Sequence, residues 1–519
     1  MKFCCVAGLV LMGMVGRAGE APAPLPPPKP IESRLGINLA GLGDLNTEYP
    51  FLDVFKLARP WISQRQGEAW GKGPALDLDP EGWPRRLEPD CWVDTALLTF
   101  GHAPKGRYVC LYDGVGELEF WGGKIRSVAP APGRVVVEMD GTHEGIFLRL
   151  KRTNPERPVR NIRFLLPGHE FTHAREVFHP AFLARWAGFN TIRFMDWMDT
   201  NDSEQKTWAD RPTPGTYTYG LKGAPVEVMV DLCNRMGANP WFCLPHQASD
   251  TYVRRFAELV KTNLNPELKI HIEYSNEVWN SMFAQHGHAE AQAKVRNLGA
   301  PDRPWEGAAN YYARRSVEIF RLWEDVFDGR ERLVRVIAWQ AASGDYWTDK
   351  MVLAHADTWK SADALAIAPY VSFLVGPESK PPVDEVAKWT VAQVLDHAEQ
   401  QALPECLGWM RTQARVAAKY RLRLLAYEAG QHLVGVGGGE NNDAVTQLFI
   451  EANRHPRMGT IYRRYLDAWR DAGGDLACLF SSVAKPSKWG SWGLLEFGDD
   501  TGSPKFDAVR EWNRRNWRR

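Results

Sequence analysis

The stretch "LKIHIEYS", residues 268–275, followed at once by "NEVWN", residues 276–280, decides how the rest of the chain is read. It is a short apolar run that is too brief for a helix and ends abruptly in an amide and an acid. A run of this length bounded by polar residues reads as a strand buried on both faces. Seven others share its form. They are "RLGINLAGL" (34–42), "TIRFMDW" (191–197), "PWFCLP" (240–245), "LVRVIAW" (333–339), "ALAIAPY" (364–370), "LRLLAYE" (422–428) and "LACLFSS" (476–482). Between them lie amphipathic stretches such as "APVEVMVDLCNRMG" and "TYVRRFAELVKTN". Eight buried strands alternating with helices predict a (β/α)8 TIM barrel. The stretch "FLDVFKLA" (51–58) is read as the helix that follows the first strand.

One region breaks the rhythm. From about Leu87 to Pro167, "GRYVCLYDG", "GELEFWGG", "KIRSVAPAPGRVVVEMDG", "GIFLRLKRT" and "VRNIRFLLPG" alternate polar and apolar residues, with Gly and Pro between them. The pattern predicts five or six antiparallel strands, a small β-sandwich. Barrel-like runs lie on both sides of it. The expected organisation is therefore a first barrel unit at 34–86, an inserted β-sandwich domain at 87–167 and the remainder of the barrel at 168–519.

The start of the chain predicts processing. Lys2 precedes an apolar stretch from Phe3 to Val15, and Gly16-Arg17-Ala18 supplies small residues for a cleavage site. Residues 1–18 read as a secretory signal peptide and 19–33 as a stiff Pro-rich linker, so the expected location is secreted or periplasmic. No later run approaches the length of a membrane span. The 519 residues carry 63 basic and 63 acidic side chains, and this balance provides no general field for nucleic acid or anionic lipid. The basic end from Arg510 reads as a solvated helix terminus. Many of the 22 tryptophans must serve core packing, and a surplus of flat, amphipathic rings also suits stacking on the apolar faces of sugars. Among the six cysteines after the leader, Cys91 and Cys110 flank one strand-rich stretch, and sequence leaves open whether they form a disulfide.

The active site of a TIM barrel lies at the carboxyl ends of its strands. That rule selects Arg193, Asp196, His246, Asn276, Glu277, Gln340, Tyr370, Glu428, Trp489 and Trp492. Glu277 and Glu428 each follow directly from an apolar run, three strand–helix units apart. Two carboxylates converging on one cleft are the equipment of glycoside hydrolysis, one as acid and one as nucleophile or base. Asp196 and Asp199 read more simply as helix caps. "HGH" (286–288) sets its histidines two apart, off a common helix face, so no metal is expected. No organic cofactor is expected either. "VGVGGGENND" (434–443) lacks phosphate-loop spacing and reads as a mobile loop leading to a helix capped near Asn442. Asn201-Asp202-Ser203 matches a glycosylation sequon.

"YSNEVWN" followed by "AYEAGQH" resembles clan A of the glycoside hydrolases, retaining enzymes built on this barrel; the family within the clan is not specified. The resemblance spans roughly residues 34–50 and 168–500. It implies Glu277 as acid/base, Glu428 as nucleophile and Asn276 as the partner of a sugar 2-hydroxyl. It further implies Arg193 as the cation beside the nucleophile, Tyr370 as its hydrogen-bond donor and His246 as a cleft histidine. Trp489 or Trp492 would lie under the reacting sugar. The substrate implied is a β-linked glycan. A barrel that only binds carbohydrate, or one that transfers the glycosyl group to another sugar, would use the same residues.

Overall fold

The computed structural model describes residues 33–100, 102–141, 145–300 and 302–516. The leader read at 1–18, and the linker up to residue 32, lie outside the described residues.

All eight apolar runs form parallel strands of one closed barrel. They are Leu35–Asn38, Thr191–Arg193, Asn239–Leu244, Ile270–Tyr274, Leu333–Ala338, Ala364–Ile367, Arg423–Ala429 and Gly474–Leu479, in chain order around the ring. The first strand closes on the eighth, with Leu35 opposite Ala477. Side chains alternate inward and outward, which divides the apolar residues between two cores. Trp241, Cys243, Val336, Leu425, Tyr427 and Cys478 fill the barrel interior. A much larger shell, including Phe194, Phe242, Ile272 and Trp323, packs the outward faces against the surrounding helices. The helix Val226–Met236 ends in a left-handed Gly237, and the helix Asp250–Asn263 starts on Ser249, whose side chain accepts from the Tyr252 N–H.

The β-sandwich consists of two four-stranded antiparallel sheets that share one core. Its strands exceed the expected five or six, because one sheet also takes in Cys91–Leu97 and Ile62–Arg65. The sheets therefore reach back to Ile62, into the stretch read as the first barrel unit. Tyr108 and Phe164 stack in one sheet, and Phe164 stacks across to Phe120 of the other.

The helix expected at 51–58 is absent; only a 3-10 turn, Val54–Leu57, forms. The Asp53 carboxylate accepts from the N–H of Phe55 at 3.1 Å and of Phe164 at 2.8 Å. This staples the segment to the last sandwich strand, and Val54 and Phe55 enter the sandwich core. The helix that follows the first barrel strand is Pro180–Trp186, after the insertion. The Gly-rich stretch also differs from its reading. Its first two residues, Val434 and Gly435, end a strand, Gln431–Gly435, which pairs in parallel with Val371–Val375 above the barrel. Asn442 caps the next helix as expected. The six described cysteines are all buried free thiols, so Cys91 and Cys110 are not bridged. No described helix is long and apolar enough to cross a membrane.

The interior is close-packed where the first strand meets its neighbours. A Cβ on Gly36 would lie 2.5 Å from Cys478 Sγ and 2.9 Å from the Thr191 carbonyl oxygen. Gly36→Ala is expected to destabilise the barrel by about 1–3 kcal/mol through overpacking. Thermal unfolding of the variant measures this, and an unchanged midpoint would contradict it.

Candidate active site

Around the carboxyl ends of the strands lies a cavity of about 840 Å³. Arg193, the last residue of the second strand, sits beneath it and is wholly buried. Its guanidinium donates from Nη1 to Glu428 Oε1 at 2.9 Å and to Asn38 Oδ1 at 3.1 Å. Nη2 donates to Asn276 Oδ1 at 2.8 Å, and Nε and Nη2 together grip Glu273. Trp241 and Tyr427 present their ring faces to the same cation, at 5.6 and 5.0 Å.

Glu428 accepts on its second oxygen, Oε2, from the Tyr370 hydroxyl at 2.8 Å. The residue therefore has a cation on one oxygen and a phenol on the other. Glu277 has different company. Its Oε1 accepts from the Tyr427 hydroxyl and its Oε2 from Asn280 Nδ2, both at 3.0 Å. Burial, reinforced by the charge of Glu428, pushes the Glu277 carboxyl up to about 7. The backbone turns sharply here: Ser275 (φ 59°) and Glu277 (φ 41°) occupy the left-handed region. For residues other than glycine that conformation costs roughly 1–3 kcal/mol each. It is held by Ser275 N–H on the Leu244 carbonyl (2.8 Å) and Gln285 Nε2 on the Asn276 carbonyl (2.8 Å).

Asn276, Glu277, Tyr370, Glu428, Gln340 and Trp492 all line the cavity. Trp492 lies 5.5 Å edge-on from the Tyr370 ring. His246 and Trp489 do not join them. His246 is buried, with its ring 5.2 Å from His288 and its carbonyl accepting from the Tyr274 hydroxyl at 3.0 Å. It packs behind the fourth strand, outside the cavity lining, and burial together with His288 holds its pKa down to about 4. Trp489 is 62% exposed, with Lys488 over its ring; it contributes its carbonyl, which orients the Trp492 indole N–H at 2.9 Å. The chain beyond the eighth strand is irregular, so strand spacing could not separate these two tryptophans. The sequon residue Asn201 is engaged within the site: its Oδ1 accepts from Asn276 Nδ2 and Gln285 Nε2.

Several site residues escape a reading of strand ends. Glu273 lies inside the fourth strand, where alternation turns it into the barrel beside Trp241 and Cys243, and the Trp241 indole donates to it at 2.8 Å. A charged residue in an apolar run was its only signal. Asn38, Tyr427 and Asn280 are likewise seen only through their bonds. His432 faces the cavity between Tyr370 and Trp492, and burial keeps it neutral by lowering its pKa to about 4. Asp196, beside Glu428, is pushed up to about 7 by burial and then by that charge. Among the described residues, no group of three or more His, Cys, Asp or Glu side chains is placed to hold a metal.

No family model matches the chain, and no curated protein matches it. Among solved structures it is similar to a 4-O-alpha-L-rhamnosyl-beta-D-glucuronidase from Fusarium oxysporum 12S, at 11% identity and a TM-score of 0.39, covering 64% of this chain and 62% of that one. A Clostridium thermocellum endo-1,4-beta-D-xylanase 10B is 8% identical with a TM-score of 0.32, over 90% of this chain and 96% of that one. A modular endo-beta-1,4-mannanase from Cellulomonas fimi is 12% identical with a TM-score of 0.34, over 62% of each chain. This chain thus spans less than two thirds of the length of the first and third.

The raised Glu277 pKa has a stability consequence. Below the ordinary glutamate range the carboxyl is protonated in both folded and unfolded chains and contributes nothing to pH dependence. As pH rises toward 7 the unfolded chain loses the proton first, so keeping the group buried costs stability, fully so above 7. Glu277→Gln removes this cost. Between about pH 5 and pH 8 the variant is expected to gain roughly 1–3 kcal/mol over the parent. Thermal midpoints of the two proteins across that range provide the check, and parallel curves would contradict the assignment.

Proposed function

We propose that the chain is an exported retaining β-glycoside hydrolase that cleaves a β-linked oligo- or polysaccharide. The observation that carries this reading is the contrast between two carboxyls at one cavity. Burial and the neighbouring charge of Glu428 hold Glu277 protonated up to about pH 7, and Glu428 is held against a guanidinium. One group able to give a proton and one able to supply electrons are what two-step glycoside cleavage requires. The clan A resemblance of "YSNEVWN" and "AYEAGQH" assigns the same roles.

In the first step the Glu277 proton passes to the glycosidic oxygen as the bond to the anomeric carbon breaks. A Glu428 oxygen bonds to that carbon, and the leaving group departs as an alcohol. In the second step Glu277, now a carboxylate, takes a proton from water. The water oxygen bonds to the anomeric carbon and the bond to Glu428 breaks, which restores both residues and the original anomeric configuration. Arg193 and Tyr370 fix the orientation of Glu428, since each of its oxygens has one donor. Asn276, held by Arg193 and Asn201, offers its amide to the sugar. Neutral His432 and Trp492 provide a hydrogen-bonding and a stacking surface beside it. Export rests on the apolar run and small residues at 3–18.

The test is turnover of a panel of aryl β-glycosides and β-linked polysaccharides by the parent, Glu428→Gln and Glu277→Gln. Glu428→Gln is expected to abolish release of sugar. Glu277→Gln is expected to lose roughly 10²–10⁴-fold on alkyl and sugar leaving groups but to retain activity on nitrophenyl ones, which need little protonation. The alkaline limb of the parent's profile, near pH 7, should vanish in that variant. A fully active Glu428→Gln protein would refute the nucleophile, and glycan binding without turnover by the parent would refute the hydrolase.

A further inference from the structure

The cavity is lopsided. Glu277 must face the leaving group, so the residues that follow it mark the leaving-group side. There the wall is broad: Trp279, Met282 and Phe283 come from the loop after the fourth strand, and Gln340 from the end of the fifth. Beyond Tyr370 the wall continues upward through Phe373 and Leu374, on the strand pair above the barrel. Met282 is 84% exposed at the rim. The opposite side, past Glu428, is where further sugars would extend from the non-reducing end of the reacting residue. Met195, Asn201, Phe480 and Trp492 bound it, and among the described residues the loop after the first strand contributes nothing to the lining.

The sandwich packs against the loops on this side. It grows from the loop after the first strand, at the same end of the barrel as the carboxylates, and its tips lock the loops around it. Asp44, in that loop, accepts from Arg59 at 3.0 Å and from the Thr99 hydroxyl. His102 stacks on Phe497 at 3.8 Å and bonds to Asp499 at 2.9 Å. Lys485 lies 4.5 Å over the Phe100 ring, and Trp61 stacks on Tyr217 of the loop after the second strand at 5.5 Å. The loops after strands eight, one and two are thus packed against the sandwich.

We infer that the enzyme is exo-acting: its glycone site takes one terminal non-reducing sugar, and the rest of the glycan leaves on the Glu277 side. This rests on the hydrolase reading above. It assigns the inserted domain a structural part in specificity, as the clamp that shuts the cleft at one end.

The experiment uses the full chain on gluco-, manno-, xylo- and galacto-configured β-linked hexasaccharides labelled at the reducing end, beside 4-nitrophenyl β-monoglycosides and Glu428→Gln as control. On the series that turns over, the expected result is labelled pentamer first, then tetramer, with free monosaccharide as the sole unlabelled product. A hexamer capped at its non-reducing terminus by a benzyl ether on the hydroxyl that would carry the next sugar should resist. Direct appearance of labelled trimer or dimer, or cleavage of the capped chain, would overturn exo action and leave the hydrolase reading intact. Absence of turnover of every probe, with the parent indistinguishable from Glu428→Gln, would overturn both.

Discussion

A guanidinium with no exposed surface lies at the centre of the barrel, and the site is built around it. Arg193 stays charged at any accessible pH, and an unpaired charge at that depth would cost several kcal/mol after relaxation. Its five N–H groups meet that demand by reaching four side chains from different strands or strand ends: Glu273, Glu428, Asn276 and Asn38. One cation thereby sets the relative positions of the fourth, seventh and first strands at the mouth. Its two carboxylate partners exceed it in charge. The surplus is met by neutral donors, the Trp241 indole and Cys243 thiol on Glu273 and the Tyr370 phenol on Glu428. Glu273, wholly enclosed, is pushed up by burial even with the guanidinium against it.

The same economy separates the two carboxyls of the site. Arg193 touches Glu428 and does not touch Glu277, although both border one cavity. Glu277 is buried and sees the negative charge of Glu428, with a phenol and an amide as its hydrogen-bond donors, and its proton is retained to about pH 7. A geometry that favours an acid and a base side by side follows from which strand the arginine stands on. The left-handed turn at Ser275 and Glu277 belongs to this arrangement, because an extended backbone would carry Glu277 on along the strand direction instead of turning it over the mouth.

Legibility followed burial. Strands enclosed on both faces are mostly apolar, so all eight were readable as apolar runs with polar ends, and those ends pointed to Asn276, Glu277, Tyr370 and Glu428. "ISQR" at 62–65 has a single apolar residue and makes a strand only because Cys91–Leu97 lies beside it. "FLDVFKLA" is amphipathic enough for a helix, yet a buried carboxylate binds it to a strand more than a hundred residues away. His246 stood at a strand end, but its ring turned toward His288 and away from the mouth. Glu273 and Asn38 lie within the runs 268–275 and 34–42, so a rule that looks only at the polar ends of runs passes over them.

By itself the sequence determined the barrel, the order of its strands and the pair of acids, because these depend on local apolar patterning and on where each run stops. The tertiary structure alone decided which donors each acid receives, which of two tryptophans reaches the cavity, and that the inserted sheets pack against the loops after the second and eighth strands. Those features arise from contacts between residues remote in the chain, and such contacts exist only once the ring of strands has closed.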